Sequence, residues 1–229
     1  MLNKKLTLTI VIPVYNEQDH LKVCLDSIAG QSMLPDEVIV VDNNSSDSTA
    51  QIARRYGFVK LVRERRQGIV FARNRGFDLS RSKIIARIDA DTILPAHWIS
   101  QVKREYLSAG ADVFYCSSSP SHFRNRFSRL WYGLHRLTYF WPSRLLLGHT
   151  TLVGSNMFMT KKLWQLVRAD VCLDTSMHED MDLAHHIYLR GVKVNFNRQL
   201  KASILGRKIL SRVYSYPRMM LRVRMADHL

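Results

Sequence analysis

The first 110 residues alternate short β-branched runs with amphipathic segments, and this alternation constrains the fold more than any other feature of the chain. Four runs are predicted to be strands, at residues 6–15, 36–42, 59–64 and 83–91. Helices are predicted between them: Asn16 is expected to cap the first, and the third to run from about Ile69 to Leu79. The pattern is typical of an α/β protein with a doubly wound mixed sheet flanked by helices, whose ligands lie outside the carboxyl ends of the strands.

The chain is strongly basic, with 34 Lys and Arg against 19 Asp and Glu and a formal net charge of +15. This charge favours an anionic substrate, a nucleic acid or an anionic membrane surface as partner. The cysteines are odd in number, far apart and outside metal-ligand spacings, which favours a reducing, cytoplasmic location. Pro13 interrupts the N-terminal apolar run, which is interpreted as a buried strand rather than a signal peptide, and no run reaches the ~20 apolar residues of a membrane span.

The second half of the chain differs in charge from the first. Residues 113–169 and 183–226 contain no Asp or Glu but many basic and aromatic residues, and Glu179, Asp180 and Asp182 lie between these stretches. The tract at residues 122–144 and the C-terminal tail are predicted to lie peripherally on the inner face of a membrane or to shape an acceptor cleft. Ordinary packing, with arginine heads extended to solvent, is the alternative.

Asp89 and Asp91 end the fourth predicted strand. Residues i and i+2 of a strand point to the same side, about 6.6 Å apart at a rise of ~3.3 Å per residue. Two like charges at that separation repel unless a cation lies beside them, and a hard divalent ion takes carboxylate and phosphate oxygens. Alternatively, Asp89 pairs with Arg87 or another basic residue, and Asp91 caps the helix near Pro95.

The first two strands also end in residues suited to a nucleotide. In "IPVYNEQ", Tyr15 and Glu17 offer an aromatic face and a carboxylate to a base and a ribose hydroxyl. Asp42 is able to accept a hydrogen bond from an imide N–H such as that of uracil, or instead to open an Asx-turn. Arg73, one turn into the third helix, suits an anion there, or instead is a solvated surface residue.

The segments "IPVYNE", "VIVVDNNSSDST", "GIVFARNRG" and "IARIDADTILP", in this order and spacing, resemble the nucleotide-sugar-binding half of family 2 glycosyltransferases, which have the GT-A fold. "GSNMFMTKKLW" and "HEDMDL" resemble acceptor-side elements of that family. The resemblance implies inverting transfer of a sugar from a UDP- or GDP-linked donor to a hydroxyl of a glycan or lipid-linked acceptor. It also implies one catalytic domain, with a donor half at 1–110, an acceptor half at 111–205 and a basic helical tail at 206–229.

The resemblance assigns roles to single residues as well. It implies that the nucleotide-sugar contacts Pro13, Tyr15, Glu17, Asp42 and Arg73. Asp89 is assigned to the ribose or a metal-bound water, and Asp91 to a divalent metal ion, Mg²⁺ or Mn²⁺. Many relatives have a second acid where this chain has Asn43, which leaves the base open.

Asp180 is the candidate general base. Inverting transfer needs a base that takes the proton of the acceptor hydroxyl, and the resemblance implies that the second acid of "HED" lies under the acceptor. Glu179 is assigned to orientation and capping, because Ser176 and Glu179 have the spacing of a capping box. Asp182 is assigned to the helix, and His185 and His186 to packing or the surface.

Two other functions fit parts of the sequence. "DADTI" matches the D-x-D-x-T of haloacid dehalogenase phosphohydrolases, but that motif ends the first strand of its domain, whereas here three strand and helix units precede it. A nucleic-acid-binding module would explain the basic charge, yet the sequence contains no helix-turn-helix, zinc or RNA-recognition signature. A nucleic acid is therefore not predicted as a partner.

Overall fold

The computed structural model describes residues 6–109, 112–120 and 140–205 and residue 223, with backbone alone at residues 109, 113–120, 198 and 199. Its first half is parallel: β1 (Leu8–Val14), β2 (Glu37–Asp42), β3 (Val59–Arg63) and β4 (Ile84–Arg87) lie in the order β3-β2-β1-β4. β1 and β2 have mostly apolar side chains on both faces, and both strands are buried along nearly their whole length. The predicted α/β class is confirmed.

Helices α1 (Leu21–Ala29), α2 (Thr49–Arg54) and α3 (Ile69–Leu79) connect these strands. The prediction that Asn16 caps the first helix is wrong, because α1 begins at Leu21 and His20 occupies the N-cap position. Asn16 has a positive φ of 53°, and its side-chain oxygen accepts a hydrogen bond from Ser46 N at 2.9 Å. The loop after β2 therefore uses the amide that a helix cap would need.

The sheet continues into the second half of the chain in the order β4-β7-β6-β8-β5. Strand β7 (Met157–Thr160) is antiparallel to β4 and to β6 (Val113–Pro120), β8 (Asn195–Ile204) is parallel to β6, and β5 (Thr92–Ile93) is antiparallel to β8. Helices α4 (Trp98–Ala109), α5 (Lys161–Val167) and α6 (Glu179–Leu189) follow, and the described residues also include a helical segment at 140–147 and a 3-10 turn at Gly154–Asn156. Thr160 caps α5, since its hydroxyl accepts a hydrogen bond from Leu163 N.

Strand β4 is shorter than predicted. It ends at Arg87, and Asp89 and Asp91 lie beyond it, in a turn where Thr92 N donates to Asp89 O at 3.0 Å. The prediction that Asp89 and Asp91 face the same side of a strand is therefore wrong, because neither residue lies in a strand. The ladder from β1 stops after Ile88 N donates to Val11 O, since Pro13 has no N–H to continue it. Pairing of β1 with β4 ends there, at the point where the strand order reverses, and ligands of doubly wound sheets bind in the crevice outside the strand ends at such a point.

Several sequence predictions lie outside the described residues. They include most of the basic aromatic tract at 122–144 and, apart from residue 223, the predicted helical tail at 206–229. The division into donor and acceptor halves stays a prediction. Within the described ranges, none of the helices is both long and apolar enough to cross a bilayer.

Candidate active site

Arg87, the last residue of β4, lies at the centre of a cluster of acidic side chains. Its side chain is 2% exposed, and its Nη2 donates to Asp89 Oδ1 and to Glu179 Oε1, each at 3.1 Å. Its Nη1 donates to Asp180 Oδ1. These acids raise the pKa of the guanidinium against the lowering effect of burial, so Arg87 stays charged. One buried cation thus joins the end of β4 to the first turn of α6.

Asp180 is held from two sides. In addition to the bond from Arg87, the backbone N–H of Gly154 donates to its Oδ2 at 2.8 Å. Gly154 packs directly on the guanidinium, since a Cβ there would lie 2.2 Å from Arg87 Cζ. Asp180 is 6% exposed, and each of its oxygens keeps a lone pair beyond the bond it accepts.

Arg73 supports the same turn of α6 from the other side. Its side chain is fully buried, so the interpretation as a solvated surface residue is wrong. Its Nη1 donates to the carbonyl oxygen of Glu179 at 2.6 Å and its Nε to Asn74 Oδ1 at 3.0 Å. Its Nη2 is buried without a hydrogen-bond partner among the described residues. Contact of Arg73 with a donor stays a prediction.

Glu179 orients the cluster rather than capping its helix. Burial raises the pKa of its carboxyl, but Arg87, His178 and Arg73 outweigh that effect and lower the pKa to about 2. The predicted capping box is not formed, because His178 is the residue that precedes α6. Ser176 instead donates its hydroxyl to Asp174 Oδ2 at 2.8 Å.

Asp89 and Asp91 carry negative charge that the cluster only partly compensates. Asp89 pairs with Arg87, as one alternative predicted, yet its side chain remains 40% exposed. Partial burial and the nearby Asp180 and Asp91 raise the pKa of its carboxyl above the usual range, although Arg87 lowers it, and the remaining exposure limits the shift. Among the described residues, none donates a hydrogen bond to the Asp91 carboxylate, and α4 begins too late for Asp91 to cap it. Two such carboxylates, one of them unpaired, are a donor set that fits a hard divalent cation.

Cys24 lies behind this turn. Its thiol donates to the carbonyl oxygen of Asp89 at 3.7 Å, and its side chain is buried. Burial, followed by the charges of Asp91 and Asp89, strongly raises the pKa of the thiol. Cys24 therefore stays protonated and supports the turn as a packed side chain rather than as a metal ligand.

The predicted nucleoside residues lie at the ends of β1 and β2. Tyr15 is 52% exposed just beyond β1, and Glu17 N donates to Thr49 Oγ1 at 2.7 Å. Asp42 ends β2 and opens an Asx-turn, since its Oδ1 accepts from Ser45 N at 3.0 Å. A cavity of about 390 Å³ lies beside Asp42 and is lined by Asp42, Ser45, Ala50, Arg54, Leu61 and Arg63. Contact of these residues with a base stays a prediction.

Asn43 joins the loops that follow β2 and β3. Its Nδ2 donates to the carbonyl oxygens of Glu64 at 3.1 Å and Arg66 at 2.6 Å, and its Oδ1 accepts from Gly68 N at 2.7 Å. A carboxylate has no N–H to give to those carbonyls, which explains an amide at this position. Sequence reasoning did not predict this role. It also named Arg87 only as a partner of Asp89, although a basic residue in the apolar run "IIARI" was a usable signal.

Comparison with known proteins places the chain in a family. A model of Glycosyl transferase family 2 matches residues 9–165. Glycosyltransferase AglE of Haloferax volcanii is 32% identical over 112 residues, 46% of this chain and 37% of that protein. Glycosyltransferase GlyA of Streptococcus pneumoniae is 22% identical over 91% of this chain and 32% of its own length. The chain thus spans about a third of the length of these relatives.

Solved structures share the fold. The mannosyltransferase PcManGT from Pyrobaculum calidifontis, in complex with GDP-Man and Mn²⁺, superposes with a TM-score of 0.71 at 21% identity, over 96% of this chain and 63% of that one. Glucosyl-3-phosphoglycerate synthase from Mycobacterium tuberculosis gives 0.66 at 19% identity, over 97% of this chain and 80% of that one.

Proposed function

Because the chain belongs to glycosyl transferase family 2 and has the GT-A fold, we propose that this glycosyltransferase moves a sugar from a UDP- or GDP-linked donor to a hydroxyl of a glycan or lipid-linked acceptor, with inversion. The observation that carries the proposal is the Arg87 cluster. It brings the acids after β4 beside the acids of α6, and so puts a candidate cation site next to a candidate base. The dehalogenase and nucleic-acid-binding alternatives are dropped, because neither is a function of this family.

The donor's diphosphate is proposed to bind with a divalent cation, Mg²⁺ or Mn²⁺, at Asp91 and Asp89. The unpaired carboxylate of Asp91 and the partly compensated charge of Asp89 support this assignment. PcManGT was solved with GDP-Man and Mn²⁺, and the synthase with Mn²⁺ and uridine-diphosphate-glucose. When bound, such an ion neutralises charge that develops on a departing diphosphate.

The chain's own side chains supply the proton chemistry. We assign Asp180 as the base that takes the proton of the acceptor hydroxyl, with a lone pair that neither Arg87 nor Gly154 occupies. Those two donors fix the direction of the carboxylate, and Arg73 fixes the turn of α6 that carries it. Glu179 stays ionised at neutral pH and balances the charge of Arg87, so Asp180 is not its only counter-ion. On the donor side, Pro13, Tyr15, Glu17 and Asp42 are proposed to hold the nucleoside.

A second cavity supports an anionic sugar-containing acceptor. It has a volume of about 460 Å³, and Arg144, His149, Tyr188 and Lys193 contribute basic and aromatic groups to its wall. Tyr188 lies eight residues after Asp180 on α6, or about 12 Å along the helix at 1.5 Å per residue. Aromatic faces pack on sugar rings, and the cations suit a phosphate or carboxylate on the same acceptor.

Peripheral binding to an anionic membrane on its cytoplasmic face remains part of the proposal. It rests on the basic tract at residues 122–144 and on the basic C-terminal tail, which lie mostly outside the described residues. Co-sedimentation with anionic vesicles tests this membrane binding. Salt-sensitive binding would support it, and no binding at low salt would favour an acceptor in solution.

Thermal unfolding with a panel of UDP- and GDP-sugars, each with and without Mn²⁺, tests the function. A ligand at 100 times its dissociation constant stabilises the folded state by ~2.7 kcal/mol. One donor class should raise Tm only with the metal, and Asp91→Asn should lose that rise while its own Tm stays close to that of the wild type. A chain that no donor stabilises contradicts the proposed function, and full transfer in excess EDTA contradicts the divalent cation.

A further inference from the structure

Three different metal-binding groups meet beside α6, away from the Arg87 cluster. The sulfur of Cys172, a carboxylate oxygen of Asp182 and a ring nitrogen of His186 all lie within 4.8 Å of one another. Asp182 and His186 are one turn apart on the helix, and at 100° per residue Asp182 points about 200° away from Asp180. The spacing of these residues in the sequence does not predict that they lie together, because Cys172 belongs to the loop before α6.

We propose that Cys172, Asp182 and His186 form a structural site for Zn²⁺, separate from the divalent cation proposed for the donor.

The geometry of the three groups is close to that of a zinc site. With Zn–S of ~2.3 Å and Zn–N or Zn–O of ~2.0 to 2.1 Å, the ligand atoms of a tetrahedral site are about 3.3 to 3.6 Å apart. Asp182 Oδ1 and His186 Nε2 are already 3.2 Å apart. The sulfur lies within 4.8 Å of the other two ligand atoms, so these distances need to shorten by at most about 1.5 Å, and Cys172 lies in a loop and is partly exposed. Cys172 and His186 are both partly exposed, so water can fill the fourth position.

The ligand types select zinc over the ion proposed for the donor. A thiolate is a soft ligand that suits zinc, whereas Mg²⁺ prefers oxygen ligands only. The carboxylate is already oriented, since its Oδ2 accepts a hydrogen bond from Cys172 N at 3.0 Å. Zinc binding displaces the thiol proton of Cys172 to solvent, and the ion balances the charge of Asp182, which is 2% exposed.

The site would tie together parts of the molecule that face the reaction. The loop at residues 168–178 carries Cys172 and also Thr175, whose methyl group packs against Gly68: a Cβ on Gly68 would lie 2.5 Å from it. Gly68 in turn donates its N–H to Asn43. A zinc ion would fix this loop to α6 within three residues of Glu179 and Asp180.

Titration of the metal-free, reduced protein with Co²⁺ tests the site, because cobalt bound to a thiolate shows a near-ultraviolet charge-transfer absorption. We expect one equivalent of Co²⁺ per chain to give this band and Zn²⁺ to abolish it. Cys172→Ser and His186→Gln should lose the band. Asp91→Asn should keep it, which separates this site from the donor cation. Cys24→Ala and Cys116→Ser are the matched cysteine controls and should also keep it.

Thermal unfolding provides a second readout that does not depend on the cobalt spectrum. Zn²⁺ should raise the Tm of the wild type and of Asp91→Asn, and should leave the Tm of Cys172→Ser unchanged. The proposal is overturned if Co²⁺ gives no thiolate band in the wild type, or if the band persists in Cys172→Ser. Neither result bears on glycosyl transfer, since donor binding and Asp180 are read out separately.

Discussion

The two sides of the crevice are held together by different kinds of interaction. On the donor side, neutral amides bridge the strand-end loops: Asn43 joins three backbone groups, and Asn16 accepts from the loop after β2. On the acceptor side, the buried guanidinium of Arg87 bonds three carboxylates. They are those of Asp89, just after β4, and of Glu179 and Asp180, at the start of α6.

The difference predicts where the protein is most sensitive to substitution. A neutral hydrogen bond contributes roughly 0.5 to 1.5 kcal/mol net, whereas a buried charge that loses its partners costs about 3 to 5 kcal/mol. The ionic side therefore depends on every member of the cluster. The proposed base, Asp180, belongs to the same cluster. A substitution there should therefore change both stability and catalysis, whereas on the donor side the two effects should be separate.

Asp180→Asn should have the largest effect. Without the base, transfer should fall by ~10² to 10⁴, equivalent to about 3 to 5 kcal/mol of activation free energy. Donor affinity should stay nearly unchanged, because the proposed nucleotide contacts lie on the other side of the crevice. Rates are measured well below Tm, since Arg87 loses one counter-ion. Asp170→Asn, which breaks an exposed pair with Arg190, is the control and should retain the rate. A near-wild-type rate for Asp180→Asn would reject it as the base.

Arg87→Met should lower the free energy of unfolding by about 3 to 5 kcal/mol, because three carboxylates lose their shared buried cation. Arg168→Met makes the same change at an exposed pair, where Arg168 is 54% exposed and lies 3.5 Å from Asp78, and should cost under ~1 kcal/mol. Chemical denaturation of both variants measures the difference. Equal losses would mean that the cluster adds nothing beyond an ordinary surface pair.

The sequence predicted the donor side better than the acceptor side. Helix α3 has the predicted bounds, and β2 ends at Asp42 as expected, because periodicity reports local structure. The Arg87 cluster joins residues 92 and 93 positions apart, and no spacing rule connects them. Two local errors lie on the donor side, the cap at Asn16 and the long fourth strand, and each arose where another segment, the loop after β2 or Pro13 of β1, determines the backbone.

Gly154→Ala should cost about 2 to 3 kcal/mol, since the new methyl group would overlap the buried guanidinium of Arg87 and force the cluster to shift. Gly57→Ala is the matched control: its Cβ would meet nothing within 4 Å, so stability should change by under ~1 kcal/mol in either direction. If both variants unfold at the same denaturant concentration, the close approach of Gly154 to Arg87 is not a constraint on the fold.

Asn43→Asp tests the donor side of the comparison, and at acid pH, where the new buried carboxyl is neutral, it should have the smallest effect of the set, about 1 to 2 kcal/mol. The substitution keeps the acceptor for Gly68 N but removes both N–H groups that serve the carbonyls of Glu64 and Arg66. The loss should shrink at acid pH, because a protonated carboxyl regains one donor for a carbonyl. Asn44→Asp is the control. Asn44 also donates to a backbone carbonyl, that of Arg65, but this bond is exposed to solvent. Water should replace it, so little stability should be lost. Denaturation of both variants from neutral to acid pH gives the comparison. If Asn43→Asp costs more than Arg87→Met, neutral hydrogen bonds rather than the buried ions dominate this crevice.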